Sequence, residues 1–306
     1  MNTKKSTRFE VLYVLGFLFT LIVAFGTFFL GFRMGVNQTE DKYVNLKKSL
    51  IVMESNDSSY SQQDLVSFYY VVYQPYLQFK DEYLTRIDSL DNNGNRWADN
   101  ASMNEIRKSA QDKYDLISSY SVSANSPLLK QAQSDILKSL KLFDEGIDRN
   151  ISIIGNKQGV QLASSVTSDE FTTNAINYGL RAQNKFYTSM MKWAAKDDQN
   201  IPEEYTFNPD TTVKQWNNYS LTLKNKAIAD IMLGSNLYVS YMPQDLTAKI
   251  DQMISSGKAT ALNLNSVSSI VKVVTETGAV QGNDFIKWKP TYYASESLPA
   301  LPFFTE

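Results

Sequence analysis

The fold is decided by a stretch that reads SPLLKQAQSDILKSLKLFDEGIDRNISII over residues 126–154. Serine is favoured as a helix N-cap and proline at the first helical position, so Ser126 and Pro127 predict a helix start. Apolar residues then recur every three or four positions, which is the period of one buried helix face. They are Leu129, Ala132, Ile136, Leu140, Phe143, Ile147, Ile151 and Ile154. The stretch therefore predicts a long amphipathic helix that ends before Gly155 and Gly159.

Four further stretches show the same period and predict four more long helices. They begin at Ser61, Ser102, Thr167 and Asp210. The first continues through Pro75 without losing its apolar register, which predicts a kinked helix rather than two separate helices. Shorter helices are predicted at 244–256 and 265–277, although the Val and Ser content of the second leaves a strand open.

These stretches predict an all-α protein with an antiparallel helical bundle of about five long helices plus shorter C-terminal helices. Residues 61–195 form the first part of the bundle in this interpretation. The polar segment KDDQNIPEEYTFNPD at 196–210 is a linker, and 211–278 are a second helical part packed on the first. Residues 279–306 contain Pro290, Pro299 and Pro302 and predict an extended C-terminal tail.

A second decisive stretch lies near the N-terminus, where residues 11–32 read VLYVLGFLFTLIVAFGTFFLGF and carry no charge. At about 1.5 Å per residue, such a helix reaches about 33 Å, enough to cross a bilayer. We expect a single transmembrane helix at 9–35, preceded by a short head at 1–8 and followed by a juxtamembrane stalk at 36–60. A cleaved signal peptide is the alternative, but the apolar run continues past the possible cleavage site after Gly26.

The orientation of this helix follows from length rather than from charge. Both flanks carry basic residues, but a long downstream domain can be translocated largely regardless of its charge. We therefore expect the N-terminus in the cytoplasm and the helical domain outside. Gly16, Thr20 and Ala24 recur every four residues within the span and could let a partner helix approach closely.

Composition narrows the chemistry that the chain can perform. It contains no cysteine and no histidine, which excludes disulfides, thiolate chemistry, imidazole bases and almost all catalytic zinc sites. The net charge is −2, and most of the basic excess falls in the N-terminal segment, so the remainder is more acidic still. An acidic domain gives no electrostatic reason to expect nucleic acid as a partner. We expect no cofactor.

Three segments have the residues of possible chemical motifs, but each is better explained as an ordinary structural element. DSLDNNGNRWADN at 88–100 lacks two key ligands of a calcium loop and is interpreted as an interhelical turn. Ser189 and Lys192 have the Ser-x-x-Lys spacing, but the companion motifs of penicillin-recognising enzymes are absent. The acidic residues Asp144, Glu145 and Asp148 are interpreted as a solvated helix face.

Aromatic residues are the best candidates for contacts with a partner or ligand. Tyr70 and Tyr73 lean off the predicted core stripe of their helix, where exposed tyrosines could anchor a partner. Trp193 and Trp216 could line a pocket between helices. Phe303 and Phe304 lie close to the terminus, where apolar residues usually dock on their own domain, although a partner could also take them.

We therefore interpret the chain as a membrane-anchored extracytoplasmic helical protein that acts as a binding or scaffolding component of a bacterial cell envelope. The bacterial interpretation comes from richness in Asn, Lys, Tyr and Ile without Cys. Its partners would be the bilayer and a membrane or envelope protein. A ligand-binding sensor or accessory subunit of a membrane complex is the alternative, and a carboxylate-dependent envelope enzyme is third. We expect that it is not an enzyme.

Overall fold

The structure, a computed structural model, describes residues 59–90, 96–152 and 158–305, and in these ranges every regular element is helical. The prediction of an all-α fold is therefore confirmed for them. The helices are α1 (Gln62–Phe68), a π-helix (Tyr69–Tyr73), α2 (Gln74–Ser89), α3 (Arg96–Ser118), α4 (Pro127–Ser152), α5 (Gly159–Ser168), α6 (Glu170–Ala194), α7 (Val213–Trp216), α8 (Leu221–Gly234), α9 (Pro243–Ser255), α10 (Lys258–Ala261), α11 (Val267–Glu276), α12 (Asp284–Tyr292) and α13 (Pro302–Thr305).

The predicted transmembrane span at 11–32, with its pairing face of Gly16, Thr20 and Ala24, lies outside the described residues. Among the residues that the structure does describe, no helix has both the length and the hydrophobicity required to cross a bilayer.

The first helical segment passes through Pro75 as the sequence predicts, and a π-helical turn accommodates the proline. Ser61 and Asp64 form the predicted capping box at the start of α1. The backbone N–H of Gln74 bonds to the carbonyl of Tyr69, five residues back, and α2 then continues across Pro75. Tyr73, the last residue of the π-helix, is buried in the core.

Helices α3 and α4 pack side by side in opposite directions. Gln133, near the start of α4, donates a hydrogen bond to the carbonyl of Ile117 near the end of α3. Asp144, towards the end of α4, accepts one from Arg107 in the middle of α3 at 2.8 Å. This reversed order is the antiparallel arrangement that short connections favour in helical bundles.

Helices α4 and α6 form the most extensive helix pair and are also antiparallel. Asp135, near the start of α4, pairs with Lys185 in the second half of α6. Gly146, near the end of α4, lies against Thr172 at the start of α6. Helices α1 and α2 and the π-helix close this bundle through contacts with α3, α4 and α6.

The core of the bundle is built from the predicted stripes and is rich in aromatic rings. On α4, the residues predicted at three- and four-residue intervals from Leu129 to Ile147 are all fully buried. Phe143 lies between Phe79 and Tyr83, with ring centroids 5.1 and 4.6 Å away. Gly179 has no room for a side chain, because a methyl group there would overlap the Tyr76 hydroxyl. The close approach of α2 to α6 therefore requires glycine at this position.

A hydrogen-bonded clasp joins the beginning of α1 to the beginning of α4. The backbone N–H of Tyr60 donates to Ser126 Oγ at 2.9 Å, and Ser126 Oγ donates to Asp64 Oδ2 at 2.8 Å. Lys196, just beyond α6, donates to the Tyr60 carbonyl at 3.3 Å. Helix α4 begins at Pro127 as predicted, with the Ser126 hydroxyl occupied by this clasp. We call Tyr60, Asp64, Ser126 and Lys196 the N-terminal clasp.

Several predicted boundaries in the first half are wrong. Helix α3 begins at Arg96 rather than Ser102, and α5, from Gly159 to Ser168, was not predicted. Thr167 does not start the fourth long helix, because its hydroxyl bonds to the carbonyl of Ala163 within α5. Asp169 is the actual N-cap of α6, since its carboxylate accepts from the N–H of Phe171.

The helix predicted from Asp210 is in fact two helices. Thr212 and Gln215 form a capping box that starts α7, which ends at Trp216. Ser220 then caps α8 by accepting a hydrogen bond from the N–H of Leu223. Two caps eight residues apart in the same apolar register divide the segment, and periodicity alone does not reveal such a break.

The shorter C-terminal helices are confirmed as α9 and α11, and the strand alternative for 265–277 is wrong. Ser266 caps α11, and Val267, Ile270, Val271 and Val274 are buried on one face of it. The short helix α10 between them was not predicted. Burial against a helical neighbour has outweighed the strand preference of valine in this segment.

The prediction of an extended C-terminal tail is wrong in part, because residues 279–306 contain α12 and α13. Pro290 lies inside α12, near its end, where the missing N–H removes one hydrogen bond without preventing the helix. Pro302 occupies the first position of α13, where proline is favoured. The residues around Pro299 lie between these two helices and belong to neither.

Candidate functional site

An open groove of 490 Å³ lies on the outer face of α4, between α3 and α6. Five of its lining residues come from α4, so this helix forms the base, and a tyrosine from each neighbouring helix forms a wall. The lining residues other than Ser134 are Tyr114, Leu137, Lys138, Lys141, Leu142 and Tyr178. Ser134, which is exposed, completes the lining. The groove combines an aliphatic base, two aromatic walls and two ammonium groups.

The cations of the groove are only partly neutralised. Lys141 lies 3.6 Å from Asp144 and 3.7 Å from Glu145, and its side chain is 57% exposed. Asp144 is shared, because it also accepts from Arg107 at 2.8 Å. Lys138 makes no ion pair within the described ranges and instead lies 5.3 Å from the centre of the Tyr178 ring. The lining of the groove therefore contains two lysines and no acidic residue, on an otherwise acidic chain.

Tyr178 brings a third cation to the edge of the groove. The Arg181 guanidinium lies 5.2 Å from the centre of the Tyr178 ring, within the range of a cation–π interaction. Arg181 also lies 3.6 Å from Asp135, but Lys185 is the closer partner of that buried carboxylate. Two cations thus share one aromatic ring beside the groove, and one carboxylate serves both Arg181 and Lys185.

The two tyrosines predicted to lean off the core are placed differently from each other. Tyr73 is 1% exposed and packs against Phe186, with ring centroids 4.7 Å apart. The interpretation of Tyr73 as an exposed contact residue is wrong, because Tyr73 lies four residues after Tyr69 and three before Tyr76 and is buried with them. Tyr70 is half-buried and lies edge-on to Tyr69, with centroids 5.2 Å apart. A contact between Tyr70 and a partner remains a prediction.

Trp216 is fully buried and bonded to a carboxylate, and it is not among the residues that line the groove on α4. Its indole Nε1 donates to Asp251 at 2.6 Å, and the same carboxylate accepts from Tyr293 at 2.6 Å and from Lys224 at 2.9 Å. These side chains join α7, α8 and α9 to the residue after α12. Burial and the neighbouring Asp251 carboxylate raise the pKa of the Tyr293 hydroxyl. The group is a structural anchor, which we call the Asp251 network.

Trp193 and the terminal phenylalanines pack on the bundle. Trp193 is half-buried against two parts of the core. Phe304 is 2% exposed and lies 5.5 Å from Phe285, centroid to centroid, while Lys289 donates to its carbonyl at 2.6 Å. Phe303 is half-buried, with its ring centroid 5.3 Å from that of Tyr69. The structure thus docks the C-terminal segment on its own domain.

A closed crevice lies beneath this C-terminal segment. Pro299 and Phe304 cover it, and Thr222 and Asn225 of α8 lie at its inner end. Both polar atoms of the Asn225 side chain lack a partner within the described ranges, and the residue is 2% exposed. The crevice leaves no room for a water molecule, so it offers no ligand site as it stands.

Lys80 is a buried lysine in an aromatic environment. It is 3% exposed, and its ammonium lies 4.9 Å from the ring centre of Tyr238, in the connection between α8 and α9. Burial lowers the pKa of Lys80 from 10.5 to about 8, although the charge of Asp81 acts in the opposite direction. Beside it, the Tyr238 and Tyr76 hydroxyls are hydrogen-bonded at 3.0 Å. The site is closed, so the lysine has no access to a substrate.

Sequence reasoning did not identify the groove. The only signal was that Leu137 and Leu142 lie off the core stripe of α4, among residues that were interpreted as a solvated face. In the ranges 59–90, 96–152 and 158–305, no three acidic side chains converge in a way that could hold a metal ion. No family model matches the chain, and neither a curated protein nor a solved structure matches it.

Proposed function

We propose that this chain is a membrane-anchored binding or scaffolding component of a bacterial cell envelope, and that the groove on α4 is its contact surface. In this proposal residues 9–35 hold the protein in the membrane, with the N-terminus in the cytoplasm and the helical domain outside. The observation that carries the proposal is the open, positively charged groove between Tyr114 and Tyr178.

The groove supports binding because its size and composition resemble those of ligand sites. Such sites have volumes of about 300–1,000 Å³ and combine apolar walls with a few polar groups. Here Leu137 and Leu142 supply apolar surface, and Lys138 and Lys141 supply charge. Solvent-accessible apolar surface rimmed by polar groups is a common mark of an interaction site.

The two other candidate functions have less support among the described residues. A sensor with an interhelical pocket would use Trp193, Trp216 or the tyrosine cluster, but these side chains pack against protein. A carboxylate-dependent enzyme would need acids free to act in a cleft. The buried acids Asp135 and Asp251 are instead held by lysine partners.

The proposed topology can be tested by labelling single cysteines, because the chain contains none of its own. Ser164 is exposed on α5, so we expect Ser164→Cys to react in intact cells with a maleimide that cannot cross membranes. A cysteine at Ser6, in the predicted cytoplasmic head, should react only after the membrane is opened. Labelling of Ser6→Cys but not of Ser164→Cys in intact cells would reverse the topology.

The contact surface can be tested by photo-crosslinking in intact cells. We expect benzoylphenylalanine at Ser134, in the groove, to form a discrete adduct with an envelope component. The same residue at exposed Ser164, away from the groove, is the matched control and should form none. We expect the charge-reversing pair Lys138→Glu and Lys141→Glu to reduce the Ser134 adduct at least fivefold, because the cations attract the partner. Equal adducts at both positions, or none at Ser134, would contradict the proposal.

A further inference from the structure

We infer that the groove binds a single-chain anionic amphiphile, such as a long-chain carboxylate, with the head group at Lys138 and Lys141 and the chain along Leu137 and Leu142. This inference rests on the proposed function, because it names the ligand of the same surface. It follows from the charge, the shape and the volume of the groove.

The lysines of the groove favour an anionic ligand. Lys138 has no carboxylate partner in the described part of the chain, and Lys141 is 3.6 Å or more from each of its two acidic neighbours. Asp144 also accepts from Arg107, and Asp135 pairs with Lys185, so Glu145 is the one acidic neighbour that Lys141 does not share with another described cation. At Lys138 an incoming carboxylate would replace water rather than displace an ion pair.

The apolar lining selects a ligand with a hydrocarbon part. Leu137 and Leu142 lie at the base, and the rings of Tyr114 and Tyr178 stand on opposite sides. A small hydrophilic anion would leave this surface exposed to water, whereas a methylene chain would cover it at a gain of about 0.8 kcal/mol for each fully buried CH₂.

The size of the groove favours a small ligand. A space of 490 Å³ falls in the range of small-molecule sites. A two-chain phospholipid would leave one chain outside the groove. A single-chain anion therefore fits both the charge and the space.

The inference can be tested with the full chain in nanodiscs of uncharged phosphatidylcholine. The probe is a sixteen-carbon fatty acid with a diazirine near its methyl end, and mass spectrometry locates the labelled peptides. We expect saturable labelling of the segment 137–142, competition by unmodified palmitate, and at least fivefold weaker labelling by the matching fatty alcohol. Labelling should also fall as salt is raised, because both lysines are exposed.

Two pairs of variants separate ligand binding from effects on folding. We expect Ser134→Trp, which fills the groove from an exposed position, to abolish labelling, and Ser164→Trp to leave it unchanged. We expect the double change Lys138→Glu and Lys141→Glu to lower labelling about tenfold. The control pair Lys214→Glu and Lys258→Glu alters net charge equally at exposed sites outside the groove and should change labelling less than twofold. Far-UV circular dichroism should show that all four proteins are folded.

Several results would overturn the inference. Equal labelling by the acid and the alcohol would remove the role of the lysines, and labelling insensitive to Ser134→Trp would place the ligand elsewhere. Labelling by a photoreactive phosphatidylglycerol as strong as that by the fatty acid would contradict a single-chain ligand. If Ser134 crosslinks a protein in cells while the fatty acid fails to label, the amphiphile inference is wrong and the proposed binding function stands. If both experiments fail, the proposed function is also wrong.

Discussion

Replacing Asp251 with alanine should lower the free energy of unfolding by about 3–5 kcal/mol, the usual cost of removing one partner from a buried ion pair. Three donors converge on this carboxylate: the Trp216 indole, the Tyr293 hydroxyl and the Lys224 ammonium, each within 2.9 Å of one of its oxygens. Trp216 is fully buried and Tyr293 is 3% exposed, so neither could recover its hydrogen bond from water. Alanine would leave these two buried donors unsatisfied and Lys224 without its ion-pair partner.

The measurement is urea unfolding of the full chain in an uncharged detergent, followed by far-UV circular dichroism. Glu276→Ala is the matched control, since its side chain is 65% exposed and its pairing with Lys272 at 3.9 Å is weak. It should change the stability by less than about 0.5 kcal/mol. Tyr293→Phe removes a single hydrogen bond and should cost about 1–2 kcal/mol. A loss below 1 kcal/mol for Asp251→Ala would show that the network does not anchor the C-terminal helices.

Replacing Lys80 with methionine should stabilise the protein at neutral pH by about 1–3 kcal/mol. A fall in pKa from 10.5 to about 8 corresponds to about 3 kcal/mol of unfavourable free energy for the buried ammonium. Its contact with the Tyr238 ring at 4.9 Å offsets part of that cost. Methionine has a similar length and no charge, so it keeps the packing and removes the desolvation.

The free energy of unfolding of the wild-type protein should also depend on pH in a way that identifies Lys80. Between pH 8 and about 10, folded Lys80 has released its proton while the unfolded chain still binds it, so wild-type stability should rise with pH. Above about pH 10 it should fall, because burial raises the pKa of Tyr76 to about 12 and the unfolded chain loses its tyrosine protons first.

Lys80→Met should remove the rise and keep the fall. Lys258→Met, at an exposed position, should behave as wild type. The measurement is the same urea unfolding, repeated from pH 7 to pH 11. A flat wild-type profile between pH 8 and 10, or a less stable Lys80→Met, would show that the ammonium is not buried as described.

The helices were predictable where a single stripe of apolar residues packs into a single hydrophobic core. On α4 every predicted core position from Leu129 to Ile147 is buried, because a three- to four-residue period leaves only one face to bury. Boundaries were less predictable where two polar residues compete to cap. Thr167 satisfies a carbonyl of α5, whereas Asp169 accepts the free N–H of the next helix. Sequence alone does not show which residue will cap.

The groove could not be predicted, because it depends on the spacing of three helices. Tyr114 and Tyr178 become neighbours only after α3 and α6 have packed on either side of α4, and neither residue has a distinctive pattern around it. The burial of Lys80 was equally unpredictable, because the sequence of its own helix shows only a polar residue at that position. Its burial depends on the tertiary fold, in which the connection that carries Tyr238 lies against its ammonium.

The N-terminal clasp determines how mechanical load would enter the domain. A pull along the chain from the side of residue 58 first reaches Ser59 and then Tyr60, whose carbonyls both accept from Lys196, and the N–H of Tyr60 is bonded to Ser126. Asp64 ties the first turn of α1 to the same serine. Tension would thus be shared among α1, the start of α4 and the end of α6, so that α1 could not peel away before the bonds to the other two had broken.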